Sequence, residues 1–255
     1  MFKPKQSNTS WSPVAKWYGD IVGEAGHYFH QHVILPGIKL LLDPKSGESV
    51  LDVGCGQGVY ARTIVHNVEY TGVDSSKELI AEAKNLDKNA KHSYYVADAT
   101  KGIPVPESSF DHAVCILAIQ NMRDGVSAIS NIGASLKAGG DLVMVINHPA
   151  FRIPRQSSWG KDEANKLEYR RVNRYLSSLE IPINAHPGLK DSPLTWTYHE
   201  PLSYYFKALK AAGMMVSDLE EWTSDKTSVG SAAKSENRAR SEFPMFMAIR
   251  AVKIK

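Results

Sequence analysis

The residues of this 255-residue chain best suited to chemistry are three glycines and three aspartates. Gly54, Gly56 and Gly58 follow an apolar run at 50–53 that contains Asp52, and Asp74 and Asp98 close the next two apolar runs. A glycine-rich turn between a strand and a helix lets a ligand reach the backbone, and free N–H groups at the start of the helix favour a nucleotide-like ligand. The dinucleotide fingerprint requires glycine at 54, 56 and 59, but Val59 stands here and the third glycine is at 58. No G-x-x-x-x-G-K-[ST] follows, so phosphate cradling of the P-loop kind is not indicated. Of the nine histidines, His148 is the first candidate general base, with His199 and His27 behind it, although each also suits an ordinary polar position. Without H-E-x-x-H or comparable ligand spacing, no metal site is expected. Cys55, inside the glycine loop, reads as a small residue packed beneath a ligand rather than as a nucleophile.

Such residues act together only if a scaffold gathers them. From residue 50 the chain alternates short apolar runs with helical spacing, which predicts βαβ crossovers and a parallel sheet. Strands are expected at 50–53, 69–73, 93–97, 111–119 and 141–146. A helix is expected to continue from the glycine turn over 59–66, and Ser75 with Glu78 has the form of a capping box opening a helix through Lys84. Val126, Ile129, Ile132 and Leu136 mark one helix face, with Gly139 placed to end that helix. The rhythm breaks over 151–198, a polar and aromatic stretch with Pro154, Pro182, Pro187 and Pro193, read as an insertion over the sheet. It resumes with a helix at 202–212 stopped by Gly213, and with segments near 215–222 and 243–252 that can finish the sheet as a hairpin-like edge pair. The fold class expected is α/β: a Rossmann-like, seven-stranded, mostly parallel sheet with helices on both faces and an antiparallel edge strand. The organisation expected is an N-terminal cap of helices over 1–48 and a main domain over 49–255, whose insertion contributes to a substrate cap.

The stretch VLDVGCGQG at 50–58 resembles motif I of the class I S-adenosylmethionine-dependent methyltransferases. The segments YTGVDSS, YYVADAT, FDHAVCILAIQNM and LKAGGDLVMVINHP are similar to that family's following strands. The resemblance implies S-adenosyl-L-methionine as cofactor and S-adenosyl-L-homocysteine as product. It assigns the ribose hydroxyls to Asp74 with Ser75, and the adenine edge to Asp98 with Ala99. Asp52 falls to the methionine ammonium, and close backbone packing to Gly54, Cys55, Gly56 and Gly58. Leu117 and Ala118 follow the fourth strand beside the cofactor, and Tyr18 and Tyr28 would close over its methionine end. Methyl transfer then needs chiefly in-line alignment of an acceptor and exclusion of water.

The acceptor is expected to be a small molecule, held by Gln120, Asn121 and Asn147 at strand ends and by Arg152, Trp159 and Trp196 of the insertion. Residues 151–175 carry seven basic and three acidic side chains, and 226–255 carry seven and two. Nucleic acid or protein is therefore the alternative, less favoured partner, through residues such as Arg152, Arg155, Arg170, Arg171 and Arg174, with Arg170 and Arg174 one helical turn apart. A non-catalytic cofactor-binding subunit is the third reading. The net charge of +3 and the hydrophobic fraction of 43% fit a soluble domain without membrane association. Only Cys55 and Cys115 are present, and the polar start lacks a signal-peptide pattern, so a cytoplasmic location is expected.

Overall fold

Burial decides the architecture. The strand β1, Ser49–Val53, is buried along its whole length, as befits a parallel strand covered on both faces. In this computed structural model, which describes residues 11–12, 15–64, 67–184, 192 and 194–254, it is preceded by helices α1, Ala15–Val22, and α2, Leu35–Leu41. The chain continues through β2, Glu69–Asp74, α3, Lys77–Leu86, β3, His92–Val96, β4, Phe110–Ile116, α4, Gly125–Ser135, and β5, Leu136–Asn147. Two antiparallel hairpins follow, β6, Ser157–Asp162, with β7, Leu167–Val172, and β8, Leu179–Asn184, with β9, Leu194–His199. Then come α5, Leu202–Ala211, β10, Met214–Trp222, α6, Ala233–Glu242, and β11, Phe246–Lys253. The central sheet has seven strands in the order β10-β11-β5-β4-β1-β2-β3, parallel from β3 to β5, with β11 antiparallel to both its neighbours. It is the α/β sheet expected from the sequence.

Side chains alternate across the strands, so each face has its own core. Leu51, Val53, Ala113, Leu142 and Met144 meet Ile129 and Ile132 of α4 and Leu209 of α5. On the other side Val50, Val114, Val143 and Val145 meet Ile34, Ile38 and Leu42. The segment before β1 is therefore part of the sheet's own core as well as a cover.

Four local expectations need correction. No α-helix occupies 59–64: the glycine loop runs on as turns into a 3-10 turn, Ala61–Thr63. There the Arg62 guanidinium donates to the carbonyls of Gln57 and Glu24, tying the segment to the N-terminal region. The cap of α3 is Ser76, not Ser75, its Oγ accepting from Leu79 N at 3.2 Å. Helix α4 stops at Ser135, and Gly139 lies in the irregular start of β5, where the pairing with β4 shifts between Phe110 and His112. The Arg170–Arg171 region is strand β7, so these neighbours point to opposite faces and share no helical stripe with Arg174. Residues 1–10 of the predicted cap, and Pro187 and Pro193 of the insertion, lie outside the described residues. Among the described residues no helix is long and apolar enough to cross a membrane.

Candidate functional site

The carboxyl ends of β1, β2, β4 and β5 open into a cleft of about 1150 Å³, the place where open α/β sheets take ligands. Its floor is Gly54 and Gly56 after β1, Asp74 and Ser75 after β2, Asp98 and Ala99 after β3, and Leu117 and Ala118 after β4. Tyr18 and Trp17 of α1 line it from the N-terminal side, and Pro154, Ile183, Asn184 and Thr197 from the insertion. A smaller pocket of about 40 Å³ shares Tyr18, His30, Gly54, Gly56 and Ile116 and reaches down to Asp52 and Cys55.

Each carboxylate is held differently. Asp74 accepts from the backbone N–H of Gly56 at 3.0 Å and of Ser76 at 2.8 Å. Burial raises its carboxyl above the usual range, and those N–H groups oppose the rise. Asp98 is partly buried, which by itself would raise it, but hydrogen bonds from Thr100 and Lys101 hold it below the usual range. Asp52 is 2% exposed. Its Oδ2 accepts from Tyr70 Oη at 2.7 Å, and its Oδ1 has no partner. Burial pushes this carboxyl up to about 7, against the pull of the Tyr70 hydrogen bond. Burial, then the charge of Asp74, likewise pushes the Tyr18 hydroxyl up to about 12, so it stays protonated at neutral pH.

The glycines serve different ends. A Cβ on Gly54 would stand 2.3 Å from Ala118 Cβ, so the loops after β1 and β4 close on one another only because residue 54 has no side chain. A Cβ on Gly56 would meet nothing nearer than Tyr18 Cε1 at 3.9 Å, leaving open space beside the backbone. Gly58, at φ +75°, is required by a neighbour instead, since its Cβ would fall 2.8 Å from Tyr94 Oη.

The loop after β4 is the most constrained part. Leu117 adopts φ +52°, unusual for a branched side chain. Its N–H donates to Val145 O at 2.8 Å, and its carbonyl accepts from Gln120 Nε2 at 3.1 Å and Asn121 Nδ2 at 3.2 Å. The two amide side chains thus offset the strain of the turn that brings them to the cleft.

Several sequence-predicted residues stand elsewhere. His148 does not line the cleft: its Nδ1 accepts from the N–H groups of Ala150 and Phe151, and its Nε2 is 2.6 Å from Glu221 Oε1. With both ring nitrogens engaged, it ties the end of β5 to β10. His199 is buried against the carbonyl of Tyr175 at 2.8 Å, away from the cleft. Tyr28 is turned outward, donating to Asp225 and stacked on His32 at 4.2 Å. Cys55 and Asp52 reach only the smaller pocket, and Gly58 neither. Trp159 is 42% exposed and carries Arg170 over its ring, while Arg152 and Trp196 also lie outside the cleft lining. Arg170 is committed to Phe151 O and Ser157 Oγ. His27, Gln120, Asn121 and Asn147 do line the cleft.

His30 lines both cavities, and sequence reasoning passed it over. Burial first, then His27, lowers its imidazole to about 4, and its Nδ1 is buried without a partner. The available signal was its i, i+3 spacing from His27 in HYFHQH; the π-helical turn His30–Ile34 that carries it had none.

With this geometry in view, residues 51–144 match the profile of the methyltransferase domain family. The segment running from β1 into β5 is thus similar to that methyltransferase domain family. An O-methyltransferase of Pyrenophora dematioidea is 37% identical over 167 residues, covering 57% of this chain and 61% of that protein. The O-methyltransferase resE of Aspergillus sclerotiorum is 31% identical over 170 residues, covering 58% and 63%. The chain thus spans about three fifths of the length of these curated relatives. A solved S-adenosylmethionine-dependent methyltransferase from Mesorhizobium loti shares this fold at a TM-score of 0.67 and 24% identity, over 85% of this chain and 96% of that one.

Proposed function

We propose that the protein transfers a methyl group from S-adenosyl-L-methionine to a small-molecule acceptor, releasing S-adenosyl-L-homocysteine. The observation that carries this reading is the convergence of three carboxylates and an open glycine backbone on one connected site. Asp74 lines the cleft with lone pairs left for the two ribose hydroxyls, a charge-assisted contact. Asp98 with Ala99 borders the adenine, and the unpartnered Oδ1 of Asp52 suits the methionine ammonium. Ligand pockets typically measure about 300–1,000 Å³, and a cleft of about 1150 Å³ leaves room for an acceptor beside the cofactor.

When bound, the cofactor supplies an activated methyl on a sulfonium. The chain's part is to align and to exclude water. Tyr18, which stays neutral, and Trp17 cover the methionine end, and the segment 151–198 acts as the acceptor cap. A hydroxyl acceptor loses its proton as the new bond forms, and His27 is the imidazole lining the cleft to receive it, His30, lowered to about 4, being a weak proton acceptor. This assignment replaces His148 and His199 as candidate bases. Two cysteines, both free and buried, suit a cytoplasmic enzyme.

Calorimetric titration with S-adenosyl-L-homocysteine tests the reading. Wild type binds, and Asp74→Ala, still folded, loses at least about tenfold in affinity, the scale of one lost charged hydrogen bond. A radiolabelled-methyl screen over metabolite fractions then finds a labelled small molecule. Absence of binding to the folded wild type contradicts the proposal.

A further inference from the structure

Besides His30 Nδ1, the described residues lining the cleft include a second buried polar atom whose needs the protein leaves unmet. Gln120 is 8% exposed. Its Nε2 donates to Leu117 O at 3.1 Å, which fixes the orientation of the amide, because the flipped form would set oxygen against oxygen. Its Oε1 is buried without a partner. A buried carbonyl left unpaired costs about 1–3 kcal/mol, so a donor from a ligand is the natural complement. The residue is held from both sides: its backbone carbonyl accepts from Thr197 Oγ1 of β9 at 3.2 Å, tying the loop after β4 to the insertion.

Charge narrows the ligand further. The Asp, Lys and Arg side chains lining the cleft already have partners. Asp74 takes two backbone N–H groups. Lys101 pairs with Asp98 at 3.0 Å, and Arg123 with Glu180 of β8 at 3.0 Å. Both oxygens of Asp124 are engaged by Ser127. Among the described residues, the insertion contributes only uncharged side chains to the lining. A phosphate or carboxylate on the acceptor would find both cations among these side chains already ion-paired, while of the carboxylates Asp74 and Asp98 are assigned to the cofactor and Asp124 caps α4; a charged acceptor entering the cleft would be stripped of water.

We propose that Gln120 sets acceptor specificity by receiving a hydrogen bond from a hydroxyl of an uncharged, largely apolar compound. This rests on the methyl-transfer reading and names its substrate class. Sites built to pair a hydroxyl reject analogues lacking it far more strongly than apolar pockets reject a methylene, because the polar group is then stranded.

The test loads the full chain with saturating S-adenosyl-L-homocysteine and titrates a library of aromatic and alicyclic scaffolds. Each is supplied as the alcohol or phenol, its methyl ether, its phosphate ester and the corresponding ammonium. The hydroxyl forms are expected to bind, with their methyl ethers at least about tenfold weaker. Gln120→Leu, which also removes a donor to Leu117 O, is expected to melt somewhat lower and to lose that same preference while the folded variant still binds S-adenosyl-L-homocysteine. The wild-type comparison decides even if the variant misfolds. Tighter binding of phosphate or ammonium forms, equal binding of the ethers, retention of the preference by Gln120→Leu, or no binding by any scaffold would overturn the proposal. If wild type fails to bind S-adenosyl-L-homocysteine at all, the methyl-transfer reading fails first, and this inference falls with it.

Discussion

Replacing Asp52 by asparagine isolates the electrostatics of the deepest carboxylate. The substitution keeps the shape and an oxygen for Tyr70 Oη to donate to, and removes only the ionisation. In the folded protein burial lifts this carboxyl from its ordinary 3.8 to about 7. Because the folded value lies above the unfolded one, the stability linked to the protonated form is complete below the ordinary value and is lost as pH rises through about 7. At about 1.4 kcal/mol per tenfold change, the full loss is at most roughly 4 kcal/mol, and roughly 3 kcal/mol of it falls between about pH 5 and about pH 8. Urea unfolding of both proteins at those two pH values measures it directly. Wild type is expected to lose stability relative to Asp52→Asn over that interval. The same ionisation gives the proposed ammonium contact a pH dependence: affinity for S-adenosyl-L-homocysteine should rise through about pH 7 in wild type and stay level in Asp52→Asn. Parallel stability profiles would refute the reasoning.

Two further substitutions separate structure from chemistry. Gly58→Ala forces a left-handed alanine and sets its Cβ 2.8 Å from Tyr94 Oη. A loss of about 2–3 kcal/mol is expected, which in a chain of this size lowers Tm by about 4–12 °C in a calorimetric scan. His148→Phe removes an acceptor from two backbone N–H groups and should cost about 1–3 kcal/mol at mild alkaline pH by urea unfolding. Burial lowers the His148 imidazole despite Glu221, so its contribution is present above the ordinary 6.5 and is lost as pH falls through the lower folded value. Wild type should therefore lose stability on acidification relative to His148→Phe, while methyl transfer per folded molecule is retained. A folded but inactive variant would return His148 to the chemistry.

The parallel sheet was legible because its central strands are buried on both faces and so read as nearly unbroken apolar runs, as at Val50, Leu51 and Val53 or from Leu142 to Ile146. The insertion was not. Strands β6 and β7 are largely half-buried or exposed, and β8 is only slightly better covered, so no alternation announced the hairpins. Helix α6 buries only Ala239 and lacks an apolar stripe. At the site, residues at strand ends could be placed in the cleft because the topology itself delivers them there. Residues on turns could not, since direction depends on pairings that local sequence does not encode. Tyr28 turns outward to Asp225, 197 residues away in sequence, and His148 is claimed by Glu221. His30 faces inward because a π-helical turn rotates it there. Thr197 and Glu180 came to the site through the hairpin β8–β9 and its contacts with the loop after β4.

A crystal structure of the chain grown with S-adenosyl-L-homocysteine tests the central claim most directly. The ribose should lie on Asp74, the adenine beside Asp98 and Ala99, and the amino group above Asp52. The same compound bound away from the ends of β1 and β2, or no compound in a fully occupied soak, would contradict the account.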